Sequence, residues 1–317
     1  MRRVRADGIT IYPVERLGNQ LFIYAAGLAQ ARRLGVPCYA NLAFYRYTRP
    51  RRSYSRRTYE LEQFDSGVIV PPESEFHRPL ILREPSFPMA AFWHREIGAR
   101  FPLTGPPVFM ERSFRYDERI DSITPGTTLF GYFQSWKYFR EIAGELRERM
   151  FALSEPSDWY RATSERIVPG SGAIALNVRR GDYTLAYQQE RQGLATRDYY
   201  ARALEHLRRL GLDGPVYVAS DSLSDVLEEF AGLGELVPID PPAGVNPFEV
   251  LLLLSRADGL VAANSTFSWW AGFLGERPGR VVIAPRPWFT LSDVDTRDLL
   301  PPDWITLDRE TLGAAEH

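Results

Sequence analysis

The chain has 317 residues, 44% apolar and 25% charged, with a formal net charge of −2. This length allows one large domain or two ordinary ones with sizeable cores, and the near-neutral field favours neither nucleic acid nor an anionic membrane as partner. Cys38 is the single cysteine beside four histidines, which excludes an intramolecular disulfide, a thiolate cluster and zinc-like ligand spacing.

Lys137 is the single lysine among 38 basic side chains, and a coding bias toward arginine is the plain explanation. The opening MRRVRADGITIYPV is charged, and its apolar stretch is broken by Pro13 and Glu15. No signal peptide is therefore expected. No apolar run approaches the roughly 20 residues that span a bilayer. The expectation is a cytoplasmic protein without a transmembrane segment, peripheral membrane contact being left open.

From the N-terminus, GITIYPV (8–14) reads as a strand. NQLFIYAAGLAQARRLG (19–35) reads as a helix with apolar positions spaced by three and four, and Gly35 sits where a C-terminal cap belongs. VPCYAN reads as a second short strand. Residues 42–105, rich in Arg, Pro and aromatics, read as loops and short helices. PPVFME (106–111) and TTLFGYF (127–133) look like strands, and SWKYFREIAGELRERMFAL (135–153) like one amphipathic helix. EPSDW, a helix, and the cluster VPGSGA (168–173) mark a domain junction.

Beyond it the alternation is plain: strand 173–178, helix 196–211, strand 215–220, a helix from Ser222, helix 246–257, strand 259–264, helix 266–275 and strand 280–285. Continuous apolar strands alternating with helices predict an α/β fold with a parallel sheet covered on both faces. The expected domains are 1–155 and 156–317.

In open α/β sheets ligands bind beyond the carboxyl ends of the strands. Four polar clusters fall at such ends: RLGNQ (16–20), NVRRGD (177–182), ASDS (219–222) and NSTFS (264–268). Each has an ordinary reading. Gly18 and Asn19 suit a tight turn with a cap, and Asn264, Ser265 and Thr266 are common N-cap residues. Asp221 suits a helix cap, Trp269 and Trp270 suit a core, and Arg179 and Arg180 could simply pair with Asp182. RYTRPRRSYSRR (46–57) suits a solvated loop or a basic rim. Together the clusters suggest more. Two arginines at a strand end suit bidentate contact with phosphate oxygens. A helix beginning at Ser265–Thr266 offers N–H groups to a second phosphate, and Asp221 could accept from a base or ribose. The composite suits a nucleoside diphosphate. The Gly-rich loops of phosphate-hydrolysing NTPases and of dinucleotide redox enzymes are absent. No cofactor is expected, and no metal, the arginines neutralising the diphosphate.

RLGNQLFIYAAGLAQAR, NVRRGDY, VYVASD and NSTFSWWAGFL resemble, in order, the four signatures of the α-1,2-fucosyltransferases, glycosyltransferase family 11; RPWF and LLPPDWI resemble its C-terminal end. The resemblance spans most of the chain and is weakest over about 42–125. It implies a GT-B-like fold, two Rossmann-like domains with mostly parallel sheets facing a central cleft. The N-terminal domain would serve the acceptor and sugar side, and the C-terminal domain would bind a GDP-sugar without metal. By the same resemblance Arg179 and Asn19 are the expected catalytic residues, Arg179 on the β-phosphate. Gly18, Asn177, Arg180, Asp182, Asp221, Ser265, Thr266 and Ser268 are the expected GDP-sugar-binding residues, with Asp182 orienting the arginines and Asp221 near the guanine. One position departs: where the family pattern has histidine, this chain has Asn177, which hydrogen-bonds but cannot protonate.

The expected activity is inverting transfer of a 6-deoxyhexose from a GDP-sugar, first of all GDP-L-fucose, to a hydroxyl on a small molecule or glycan. Glu15 and Glu111 are candidate general bases. Two alternatives stand beside it: a GDP-sugar mutase interconverting pyranose and furanose without an acceptor, motivated by Asn177 and residues 42–105, and a non-catalytic nucleotide-sugar binder.

Overall fold

Short apolar strands followed by helices can bury both of their faces only in parallel sheets, and the chain forms two of these. The computed structural model describes residues 7–47, 58–72, 107–180, 193–290 and 294–310. Asp182 and the arginine-rich stretch 48–57 lie outside them, as does most of 42–105. The chain divides into two compact units, Met1–Ala152 with Arg297–Leu299, and Leu153–Thr296 with Leu300–His317.

The first unit carries β1 (Ile9–Ile11), β2 (Cys38–Ala40), β3 (Val68–Ile69), β4 (Val108–Met110) and β5 (Thr128–Phe130). Every pairing is parallel and the order is β3-β2-β1-β5-β4. Helix α1 (Leu17–Leu34) crosses from β1 to β2 and is buried at Leu17, Gly18 and every residue from Gln20 to Ala31. Gly27 lets it lie close to the sheet: a Cβ there would stand 2.0 Å from Ile11 Cγ2. Gly35, at φ 65°, ends the helix in the left-handed cap that its position predicts. A short helix α2 (Ala43–Tyr47) follows β2.

The amphipathic pattern over 135–153 does not make one helix. Two 3₁₀ turns, Trp136–Tyr138 and Arg140–Ile142, precede α3 (Ala143–Phe151). The cause is packing. Adjacent side chains Tyr138 and Phe139 are both buried, Tyr138 against Tyr116 and Phe133 and Phe139 against Phe22. Phe139 leaves the helical region, at φ −138°, to let both rings reach their partners.

The second unit carries β6 (Ile174–Val178), β7 (Val216–Ser220), β8 (Leu236–Pro238), β9 (Gly259–Val261), β10 (Val281–Arg286) and β11 (Ile305–Asp308), all parallel, in the order β11-β10-β9-β6-β7-β8. Its helices are α4 (Asp158–Arg166), α5 (Arg197–Arg209), α6 (Leu223–Glu229), α7 (Pro247–Arg256) and α8 (Thr266–Leu274). The core joins the fully buried β6 to α5. There the Tyr199 hydroxyl donates to the Ala262 and Ile283 carbonyls at 2.8 and 3.2 Å, and the Tyr200 hydroxyl to the Asn177 carbonyl at 2.9 Å. Trp269 and Trp270 lie in this unit's interior with no exposure, packed with Phe273, and Trp269 meets Trp304.

Both sheets reverse their winding beside their first strand. In the first unit the reversal falls between β1 and β5, in the second between β6 and β9. Such switch points open a crevice at the carboxyl ends of the two strands, and ligands bind there.

Candidate active site

The residues after β6, β7 and β9 build one polar cluster in the second unit. The β6–β7 register pairs Val178 with Ser220, so the next residues, Arg179 and Asp221, meet across the sheet end. Arg179 Nη1 lies 2.9 Å from Asp221 Oδ2, with about a quarter of each side chain exposed. Asp221 Oδ1 accepts the backbone N–H of Arg180 at 2.8 Å. Asp221 therefore orients one arginine by its side chain and the other by its backbone, work that the sequence suggests for Asp182. It does not cap α6: Ser222 holds the cap position.

Arg180 turns into the unit. Its Nε and Nη2 donate to Glu229 at 3.0 and 2.8 Å, its Nη1 to the carbonyls of Arg179 and Ala195 at 3.1 and 3.0 Å, and its guanidinium lies 5.9 Å from the Phe230 ring centre. Sequence reasoning missed Glu229, which stands 49 residues away at the end of α6.

Asn177, expected among the GDP-sugar-binding residues, is buried. Its Nδ2 donates to the Ala219 carbonyl at 3.4 Å and its Oδ1 accepts the Ser268 hydroxyl. Ser268 is wholly enclosed, and its hydroxyl also meets Ser265 Oγ at 3.0 Å. Ser265 caps α8 by accepting the Ser268 N–H at 3.2 Å. Asn264 ties the same corner to the Gly193 and Trp288 carbonyls, each at 3.1 Å. The side chains of Asn177, Ser265 and Ser268 thus fix where α8 begins. What that corner offers a ligand is Thr266 and the leading N–H groups of α8, which have no partner within the helix.

The first unit carries a second cluster at its own switch point. Gly18 and Asn19 do not cap α1, whose N-cap position is held by Arg16, but lie in its first turn. Gln20, buried, pins that turn: its Nε2 donates to Thr58 O at 2.8 Å and Glu15 O at 3.3 Å, and its Oε1 accepts the Glu60 N–H at 2.8 Å. The Glu60 carboxyl takes the Leu17 N–H, and burial pushes it above the usual carboxylate range. Glu15 stands in the left-handed region at φ 64°, and its carbonyl also accepts the Tyr45 hydroxyl at 3.3 Å. After β5 the chain turns at Phe133, φ 52°, and Gln134 Nε2 donates to Asn19 Oδ1 at 3.0 Å. Glu111, after β4, accepts the Tyr132 and Phe133 N–H groups through Oε2 at 2.9 and 2.8 Å. Burial pushes its carboxyl up to about 8 against those two bonds.

Cys38 is buried, and burial pushes its thiol up to about 12, which leaves it inert at neutral pH. Among the described residues no group of His, Cys, Asp and Glu side chains is arranged to hold a metal ion, and no helix is long and apolar enough to cross a membrane.

The profile of Glycosyl transferase family 11 matches residues 121–308, which takes in β5, the arginine pair, Asp221 and the start of α8. The chain belongs to glycosyltransferase family 11. It is a glycosyltransferase of the fucosyltransferase type, which sets aside the reading as a non-catalytic binder. It is similar to an α-1,2-colitosyltransferase of Escherichia coli, 25% identical over 312 residues that cover 92% of this chain and 96% of that one. The O-antigen biosynthesis glycosyltransferase WbnK of Escherichia coli is 23% identical, covering 92% and 97%. Galactoside α-(1,2)-fucosyltransferase 1 of Saimiri boliviensis boliviensis is 24% identical, covering 93% and 71%. Among solved structures, NodZ α-1,6-fucosyltransferase co-crystallized with GDP matches with a TM-score of 0.50 at 17% identity, over 84% of this chain and 92% of that one. The shared fold is the GT-B-like class of two parallel α/β sheets that the motifs imply.

Proposed function

We propose that this family 11 member transfers a 6-deoxyhexose, GDP-L-fucose being the first donor to test, to an acceptor hydroxyl with inversion and without a metal ion. Residues 156–317 bind the GDP-sugar, and residues 1–155 serve the sugar and the acceptor. The observation that carries the reading is Arg179. It stands at the β6/β9 switch point, aligned by Asp221, at the sheet end where α8 begins. A guanidinium fixed in this way can hold the leaving diphosphate as the anomeric bond breaks, and donors fixed before the reaction contribute most to such steps. Asn19 acts on the sugar diphosphate from the first unit, and Thr266 with the α8 N–H groups receives a phosphate. Asp221 acts through Arg179.

The relatives' names cover colitosyl and fucosyl transfer, and colitose is L-fucose without its 3-hydroxyl. Both GDP-sugars therefore belong in one experiment. The purified chain is incubated with each donor and a panel of hydroxyl acceptors, and the product's anomeric configuration is read by NMR. A product of inverted configuration from either donor supports the reading; retention or no transfer from both opposes it. The same incubation without acceptor addresses the mutase reading, which requires an isomeric GDP-sugar to accumulate. Asn177, which motivated that reading, is engaged with Ser268 and Ala219.

A further inference from the structure

The two polar side chains at the first unit's switch point stand in donor-to-acceptor order. Gln134 is 5% exposed, and its Nε2 donates to Asn19 Oδ1 at 3.0 Å. A primary amide can present either its oxygen or its NH₂ in a given direction. Here the oxygen faces Gln134, so the NH₂ faces the other way. Among the described residues no acceptor meets Asn19 Nδ2, although the side chain is only partly exposed. Gln134 itself is carried on a turn that the chain would not adopt alone. Phe133 has φ 52°, a conformation that costs a non-glycine residue and persists where the surroundings over-determine it. Glu111 Oε2, by taking both the Tyr132 and the Phe133 N–H, supplies that determination. Gly131 gives Glu111 the room, since a Cβ there would stand 2.5 Å from Glu111 Cβ.

We propose that Gln134, held on the Glu111-clamped turn, is a positioning residue that sets the Asn19 amide so that it offers N–H and not C=O to the sugar diphosphate. A donor is the group that suits oxygens gaining negative charge. An amide turned the other way would set a lone pair against them. The inference rests on the reading above, in which Asn19 meets the donor substrate.

The test is a double-mutant cycle on the whole chain with Asn19→Ala, Gln134→Ala and the pair, reading kcat, KM for the GDP-sugar and Tm. Misplacement of a reacting contact by an ångström costs on the order of 100-fold in rate. Gln134→Ala is therefore expected to lower kcat by at least about a tenth of that effect, ~10-fold, with a far smaller change in Tm. In the Asn19→Ala background the same change should cost almost nothing, because residues that act through one contact are non-additive. Gln134→Glu keeps the size of the side chain and guards against a folding failure of the alanine variant. Its carboxylate can only accept, so it draws the Asn19 NH₂ toward itself, and kcat should fall at least as far as with Gln134→Ala. Full kcat in Gln134→Glu, or costs that add in the double variant, would overturn the inference while leaving the role of Asn19 intact. Full kcat in Asn19→Ala would remove Asn19 from the reaction, and with it the reading beneath.

Discussion

Arg179 and Arg180 are neighbours in sequence and opposites in environment. Arg179 pairs with Asp221 through Nη1 and keeps about a quarter of its side chain exposed. Arg180 has every guanidinium nitrogen engaged inside the unit. Lysine keeps the charge of either residue and loses the planar fork. Arg179→Lys is therefore expected to lower kcat on the order of 100-fold, the cost of losing one fixed donor to a developing anion, with Tm close to that of the wild type. Arg180→Lys is expected to act the other way. It gives up the bidentate pair with Glu229 and the bonds to two carbonyls, at a cost of about 1–3 kcal/mol in stability. That figure sits at the lower end because Glu229 is 38% exposed and partly screened by water. Urea melts and steady-state kinetics on the two variants separate the roles. Equal kinetic losses with no stability change in Arg180→Lys would place both guanidinium groups on the substrate.

At the scale of elements, the turn from β5 to the 3₁₀ helix at Trp136 depends on a carboxyl that prefers to be neutral. Burial raises Glu111 to about 8, from an ordinary value near 4.3. The sign follows from proton counts. Between those two values the folded chain holds a proton that the unfolded chain has released, so stability falls as pH rises through that window. The contribution is full below about pH 4, lost progressively toward pH 8 and flat above it. Glu111→Gln keeps an oxygen for the Tyr132 and Phe133 N–H groups and cannot ionise. Melting curves from pH 5 to 8 should show a shallower decline for this variant than for the wild type; parallel declines would mean that Glu111 is ionised in the folded chain across the range. None of this turn was legible in GYFQSW. The alternation of apolar runs and helical spacing from 173 to 286 showed the second sheet, and Gly35 showed the end of α1, because both signals are local. The carboxyl-end positions of Arg179, Asp221 and Thr266 followed from the same alternation. Gln134 fell between a strand pattern and a helix pattern, and only the pairing of β1 with β5 brings it to Asn19. The family resemblance places Asn177 and Ser268 among the groups at the GDP-sugar. Their mutual hydrogen bond, across 91 residues, turned them inward.

At the scale of the whole molecule the question is what balances a diphosphate leaving group on a chain of net charge −2. A divalent ion does so in many nucleotide enzymes by stabilising the departing oxygens. On the proposed reading the corresponding groups are Arg179, aligned by Asp221 at the end of β6, and the α8 N-terminus, where Ser265 caps the helix through the Ser268 N–H. A helix start carries about half a unit of positive charge and N–H groups aimed outward. With Arg179, whose charge is largely offset by the Asp221 carboxylate 2.9 Å away, it would present N–H donors fixed before the bond breaks. Transfer is accordingly expected to continue at the same rate in excess EDTA, and added magnesium or manganese to leave kcat unchanged. The sequence holds one Asp-x-Asp triplet, Asp293 to Asp295, the pattern in which carboxylates commonly hold such an ion. It gives the experiment its second arm. Loss of transfer in EDTA, restored by either metal and abolished in Asp295→Asn, would mean that a bound cation and not Arg179 takes the charge. Undiminished transfer in EDTA, with the Arg179→Lys loss unrelieved by added metal, would leave the guanidinium and the α8 N-terminus as the groups that take it.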